Sequence, residues 1–204
     1  MTPHAQRALL VLALSVLTAA AALLTGCAPR ITEFQITDHR RAGALQYHQA
    51  FDECVYRRDA ANNLEIVARH QTTDDQGQTT LQVIHLKTFW HVRLGHTRAD
   101  RSMLNTCVSY MILTWPTGAA FEGSGFMTCR ENRPRDQLQA HLELSSLKPQ
   151  RRLGNAEKLF DRAELAGRLT ARRDEPRVIE ILNEMKNAFG PPPNDLPPQS
   201  DRDF

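Results

Sequence analysis

The chain has 204 residues, 41% of them hydrophobic and 24% charged, and a formal net charge of +2. That near-balance argues against nucleic acid as a partner, since a binder of that kind carries a strong basic excess on its face. No internal repeat is visible, and the length suits one domain with a real core.

The first element in chain order is not part of a fold. Ala8 to Leu24 is an apolar run of 17 residues without a charge, preceded by Arg7 and the amino terminus. A short positive region, an apolar stretch and small residues at its end make a secretory signal peptide. A membrane span needs about 20 apolar residues, and this run includes Ser15 and Thr18. It ends in Leu24-Thr25-Gly26-Cys27, which resembles the lipobox of bacterial lipoproteins. The resemblance covers residues 1–28 alone. It implies a diacylglyceryl group on the Cys27 sulfur, cleavage just before Cys27, and in many bacteria acylation of the new amino group. Residues 1–26 would then be lost, leaving 204 − 26 = 178 residues with 24 basic and 23 acidic side chains, a net charge of +1. Two or three acyl chains, at ~0.8 kcal/mol per buried CH2, hold a protein on a membrane where one chain would not. In Gram-negative members of the family, Asp after the cysteine favours retention in the inner membrane. Ala28 stands there, so the implied address is the outer membrane, facing the periplasm.

Residues 27–30 form a short tether, because Ile31 to Ile36 already reads as structure. Residues 37–45 read as a loop. Period-2 runs follow at 47–57, at 63–70 with Leu64, Ile66 and Ala68 on one face, and at 80–94 with Ile84, Leu86, Trp90, Val92 and Leu94 on one face. Polar turns at 72–79 and 95–102 separate them. Residues 103–115 and 119–130 flank a turn at Pro116-Thr117-Gly118. Residues 137–144 alternate through Leu138, Ala140, Leu142 and Leu144. A short helix is expected over 155–163 and a strand over 164–173, with Gly167 at a close approach. Asp174 then caps a helix whose first turn tolerates Pro176. Val178, Ile181, Leu182, Met185 and Phe189 make one apolar stripe, and Gly190 ends it. Such a stripe calls for docking on the chain's own sheet. Residues 190–204 hold five prolines and read as a disordered tail. The expected fold is mainly β: an antiparallel sheet or sandwich of six to seven strands with the carboxy-terminal helix packed on it, one domain over 31–189.

Candidate chemistry is sparse. His85, His91 and His96 lie close in sequence, but on one strand His85 and His91 would be about 20 Å apart, too far to share an ion. Gly123-Ser124-Gly125 has the wrong spacing for a nucleophile elbow and sits within strand, where glycines mark bulges or close packing. Asp52, Glu53 and Glu65 are scattered carboxylates, and Tyr110, Trp115, Phe121 and Phe126 are core or interface aromatics by default. The sequence offers no metal-protease, Walker A or dinucleotide motif, hence no catalytic residue, metal or cofactor. Three cysteines remain beside Cys27: Cys54, Cys107 and Cys129. A hairpin with a Pro116–Ala120 loop pairs Trp115 with Phe121, which sets Cys107 opposite Cys129, within reach of a disulfide. The functional expectation is a membrane-anchored, non-enzymatic binding or assembly module of the cell envelope with a protein partner. A lipid-anchored hydrolase and a small-ligand carrier with a sheet–helix cavity are the alternatives.

Overall fold

Strands form where the chain alternates, and the elements below are those of a computed structural model that describes residues 32–39, 44–89, 104–155 and 162–190. They are β1 (Thr32–Asp38), β2 (Leu45–Phe51), β3 (Glu53–Arg58), β4 (Leu64–Thr73), β5 (Thr79–Thr88), β6 (Thr106–Thr114), β7 (Thr117–Asn132), β8 (Gln137–Leu153), β9 (Ala163–Arg173) and α1 (Glu175–Phe189). The fold is mostly β with one carboxy-terminal helix. The open sheet or sandwich of six to seven strands is corrected: β3 to β9 close into a seven-stranded barrel, and β1 and β2 are additional.

Closure depends on β9. It pairs antiparallel with β8, from Gln137↔Arg172 to Leu147↔Ala163. On its other side it meets β3 in parallel at Val55↔Arg172 and Tyr56↔Arg173. β1 occupies the rest of that side, from Glu33↔Arg168 to Asp38↔Ala163, and β2 pairs with β1. Two short elements therefore share one edge of β9, and the wall forks there.

The inward rows fill the barrel. Tyr56, Leu64, Ile66, Ile84, Leu86, Phe121, Met127, Leu138, Leu142 and Leu165 are all essentially inaccessible, and Tyr110 stacks on Phe121 with ring centroids 6.3 Å apart. The expected face of Leu64, Ile66 and Ala68 is this inward one. At one end Tyr56 Oη donates to Glu131 Oε1 at 3.1 Å, and Arg58 Nη2 donates to Glu131 Oε2 at 2.9 Å. Burial, helped by Glu131, pushes the Tyr56 hydroxyl up to about 12, so it remains a donor to the carboxylate.

Two inward glycines let β8 close against β7. A Cβ at Gly123 would lie 1.8 Å from the Ser146 carbonyl oxygen, and one at Gly125 would lie 2.6 Å from that of Leu144. Gly167 makes the close approach expected of it, since a Cβ there would meet the Phe34 ring at 2.5 Å. Beyond the last rung at Thr106↔Gly125, a buried side chain continues the ladder. Asn105 Oδ1 accepts from Met127 N at 2.7 Å, and its Nδ2 donates to Met127 O at 2.8 Å. A bulge in β8 at Glu143-Leu144 shifts the register against both neighbours. The inward parity passes from Leu142 to Ser145 and Leu147, and Leu144 points to solvent, 51% exposed. Its expected place on the face of Leu138, Ala140 and Leu142 is corrected.

Helix α1 follows the expected plan. Asp174 Oδ1 accepts from Arg177 N at 3.2 Å, Pro176 sits in the first turn, and Gly190 follows with φ +76°. Val178, Ile181 and Met185 are buried against Val55, Val67, Leu81 and Val83, with Leu182 and Phe189 alongside. Those four are outward residues of the barrel wall, so β3, β4 and β5 are apolar on both faces beneath the helix. Arg177 pins it with two 2.8 Å bonds to Glu53. Arg151 Nη1 donates to the carbonyls of Phe189 and Gly190, both at 2.9 Å, a cation where the helix carbonyls lack partners.

The cysteine pairing is also corrected. The β6–β7 turn is Trp115-Pro116, and the register runs Thr114↔Thr117 to Thr106↔Gly125. Cys107 therefore faces Ser124, and Cys129 faces Ala140 on β8. Cys54, Cys107 and Cys129 are all free thiols. Cys107 is exposed on the outside. Cys54 packs against the core, where burial pushes its thiol up to about 12. The signal peptide and Cys27, the run Trp90 to Leu94 with His91, the loop with His96, residues 156–161 of the expected short helix, and the proline-rich tail lie outside the described residues.

Candidate functional site

The carboxylates singled out from the sequence are each taken by a basic partner. Asp52 Oδ2 is 2.6 Å from His70 Nδ1, and Glu53 holds Arg177. Glu65 is buried on the outer wall between Arg57 and His85, with His85 Nε2 3.0 Å from Oε1. The His85 hydrogen bond, with Arg57 adding to it against the cost of burial, brings the Glu65 carboxyl from 4.5 down to about 2. This cluster ties β3, β4 and β5 together. Among the described residues, no three His, Cys, Asp or Glu side chains are placed to hold a metal ion.

Glu65 carries a pH dependence. A carboxylate whose folded pKa is depressed contributes stability that is present above its unfolded pKa and lost as pH falls through its folded one. The window here is about 4.5 down to 2. A depression of that size corresponds to roughly 3 kcal/mol. Glu65→Gln is expected to destabilise by about 2–3 kcal/mol at pH 7, with the gap to the unaltered protein narrowing below pH 4. Urea unfolding at several pH values reads this, and a gap independent of pH contradicts it.

Among the described residues, the wall presents a concavity where β8 bulges. A groove of about 710 Å3 is lined by Leu104, Ser124, Phe126, His141, Glu143, Leu144, Ser145 and Ser146. Its floor is apolar at Phe126 and Leu144, which face each other across β7 and β8. His141 and Glu143 stand at one end, and Ser124 and Ser146 at the other. A second, shallower hollow of about 320 Å3 shares His141 and extends over Arg130, Gln139, Arg168 and Thr170. Volumes of this order fit a small ligand or a partner's side chains.

Serine, histidine and glutamate in one groove invite a triad reading, which the register refuses. His141 pairs with Thr128 and Ser124 with Ser146. Thr128 and Ser124 are four residues apart on β7, about 13 Å at ~3.3 Å per residue. Phe126 and Leu144 fill the space between. A general base must reach its nucleophile within about 3 Å or through one water. Ser145 is turned elsewhere, its Oγ donating to Leu165 O at 3.2 Å. The groove has an apolar centre and polar ends.

Sequence reasoning missed this groove because it depends on the bulge, which no residue type announces. It did place the glycines of Gly123-Ser124-Gly125 as packing devices, and they are. Of the aromatics, Tyr110 and Phe121 are core, Phe126 floors the groove, and Trp115 is 71% exposed at the β6–β7 turn. No family model matches the chain, and neither the curated proteins nor the solved structures give a match.

Proposed function

We propose that this protein is a bacterial lipoprotein, acylated on Cys27 and held at the outer membrane facing the periplasm. Its barrel acts there as a non-enzymatic binding or assembly module for a protein partner. The observation that carries the reading is Leu24-Thr25-Gly26-Cys27 at the end of the uncharged run Ala8–Leu24. The barrel adds support of a different kind. Val178, Ile181 and Met185 pack directly on Val55, Val67, Leu81 and Val83 between helix and wall, which speaks against a small-ligand carrier with a sheet–helix cavity. The distance between Ser124 and His141 speaks against hydrolysis in the outer groove. What the domain offers a partner is its outer wall and its strand edges.

Cys27→Ala tests the anchor. The membrane-bound, acylated form is expected to fall to background, leaving an unprocessed precursor. Intact mass of the membrane fraction reads both outcomes. A mature amino terminus anywhere other than Cys27 removes the proposal.

A further inference from the structure

Among the described residues, strand β2 ends the sheet with an unguarded edge. It pairs with β1 from Thr32↔Phe51 to Asp38↔Leu45, and among the described residues its other edge has no ladder partner. Opposite it, the β3–β4 ladder stops at Glu53↔Arg69, and His70 to Thr73 pair with β5 only. The two edges diverge from an apex where Asp52 meets His70 and the Phe51 and His70 rings lie 6.2 Å apart. Near that apex Phe51 is buried and Gln49 half-buried, whereas Leu45 to His48 are exposed. Sheet proteins blunt such an edge with Lys, other charges, proline or a bulge. Leu45-Gln46-Tyr47-His48-Gln49-Ala50-Phe51 has no proline and no Lys, Arg, Asp or Glu.

The exposed half of β2 also carries two large apolar side chains on one face. Leu45 is 41% and Tyr47 48% exposed. We infer that β2 is the contact between two copies of this chain, which pair antiparallel through the Ala44–His48 edge. The side chains choose the register. A two-fold axis normal to the sheet keeps faces matched, so directly opposed residues have the same parity. Centred on Gln46, it sets Leu45 of each copy against Tyr47 of the other and Gln46 against itself. Both exposed apolar residues of each copy are then covered by an aliphatic–aromatic cross-strand pair, an arrangement that stabilises sheets. Centring on His48 would place Leu45 against Phe51, which is already buried and shielded by β4. The edge holds no Lys, Arg, Asp or Glu to repel its own copy.

The inference rests in part on the anchoring proposed above. Thr32 lies five residues after Cys27, at most about 18 Å of chain. Copies rooted in one membrane surface are concentrated there, which strengthens a short edge contact.

The experiment uses full-length protein in its native membranes, with the exposed Cys107 changed to Ser. Gln46→Cys is added and the membranes are oxidised mildly. Most of the chain is expected to run at twice its mass on a non-reducing gel, because Gln46 sits on the two-fold axis. Thr37→Cys, on β1 and away from the free edge, is expected to stay monomeric. Tyr47→Asp added to Gln46→Cys is expected to abolish the cross-link while circular dichroism shows the domain still folded. Absence of the Gln46→Cys dimer overturns the inference, and so does a cross-link to a band of another mass, which would mark a different partner. The same oxidation on Cys27→Ala separates the two proposals. If the unaltered protein proves unacylated and Gln46→Cys still dimerises, the anchor fails and the edge contact stands.

Discussion

Gly123→Ala is expected to lower the melting temperature by roughly 10 °C or more, whereas Ser124→Ala next to it leaves stability within about 0.5 kcal/mol. The methyl group at position 123 would sit 1.8 Å from the Ser146 carbonyl oxygen, 2.8 Å from its carbon and 3.3 Å from Leu147 Cα. All three are backbone atoms of the paired strand, so no side chain can swing aside. β7 and β8 must separate locally, and the rungs between Gly123↔Leu147 and Gly125↔Ser145 go with them. Overpacking ordinarily costs about 1–3 kcal/mol, and more where nothing can yield. Ser124 points outward and is half-buried, with no comparable neighbour. The pair of substitutions also discriminates between readings of the Gly-Ser-Gly run. A structural run fails at the glycine, and a nucleophilic run fails at the serine with the fold intact. Thermal unfolding followed by circular dichroism decides, and a Gly123→Ala protein as stable as the parent refutes the close approach of β8.

Much of this architecture could be read from residue patterns, and the failures have identifiable causes. Helix α1 was legible because every signal is local: a capping Asp174, Pro176 in the first turn, a stripe with helical spacing, and Gly190 after it. The strands were legible as alternation, but their ends were not. β8 runs on to Leu153, and reading it as ending near 144 follows from the bulge at Glu143-Leu144, which reverses the alternation that defined it. The cysteine register failed by a turn. Trp115-Pro116 makes the reversal alone, so every residue of β7 lies opposite a β6 residue five positions earlier than a Pro116–Ala120 loop would give. Closure was illegible for a different reason. It depends on two parallel rungs, Val55↔Arg172 and Tyr56↔Arg173, and two charged residues at the end of a strand carry no pairing signal. The groove shares that origin, because Phe126, Leu144 and His141 come together through the bulge.

Ile181→Asp is expected to unfold the domain at temperatures where the parent is stable, and Ile181→Val to cost only about 0.5–1.5 kcal/mol. Ile181 is fully inaccessible between the helix and the outer wall, among Val67, Val83 and Met185. Removing its side chain from that contact forfeits about 1.5–3 kcal/mol of burial, and a carboxylate placed there is desolvated without a partner, a penalty of several kcal/mol more. The sum approaches the ~5–15 kcal/mol by which a typical domain is stable. The damage reaches beyond the helix. Val55, Val67, Leu81 and Val83 are outward residues of the barrel, and with α1 displaced they become an apolar patch on β3, β4 and β5. Exposed patches of that kind promote association, so aggregation on heating is expected together with the lower midpoint. The Arg177–Glu53 bonds cannot hold the helix in place alone, because a partly exposed ion pair contributes about 1 kcal/mol or less. Hence Arg177→Ala is expected to shift the midpoint by only a few degrees where Ile181→Asp lowers it far more. If Ile181→Asp melts like the parent, α1 is not part of the folded domain in solution, and its stripe is free for another protein.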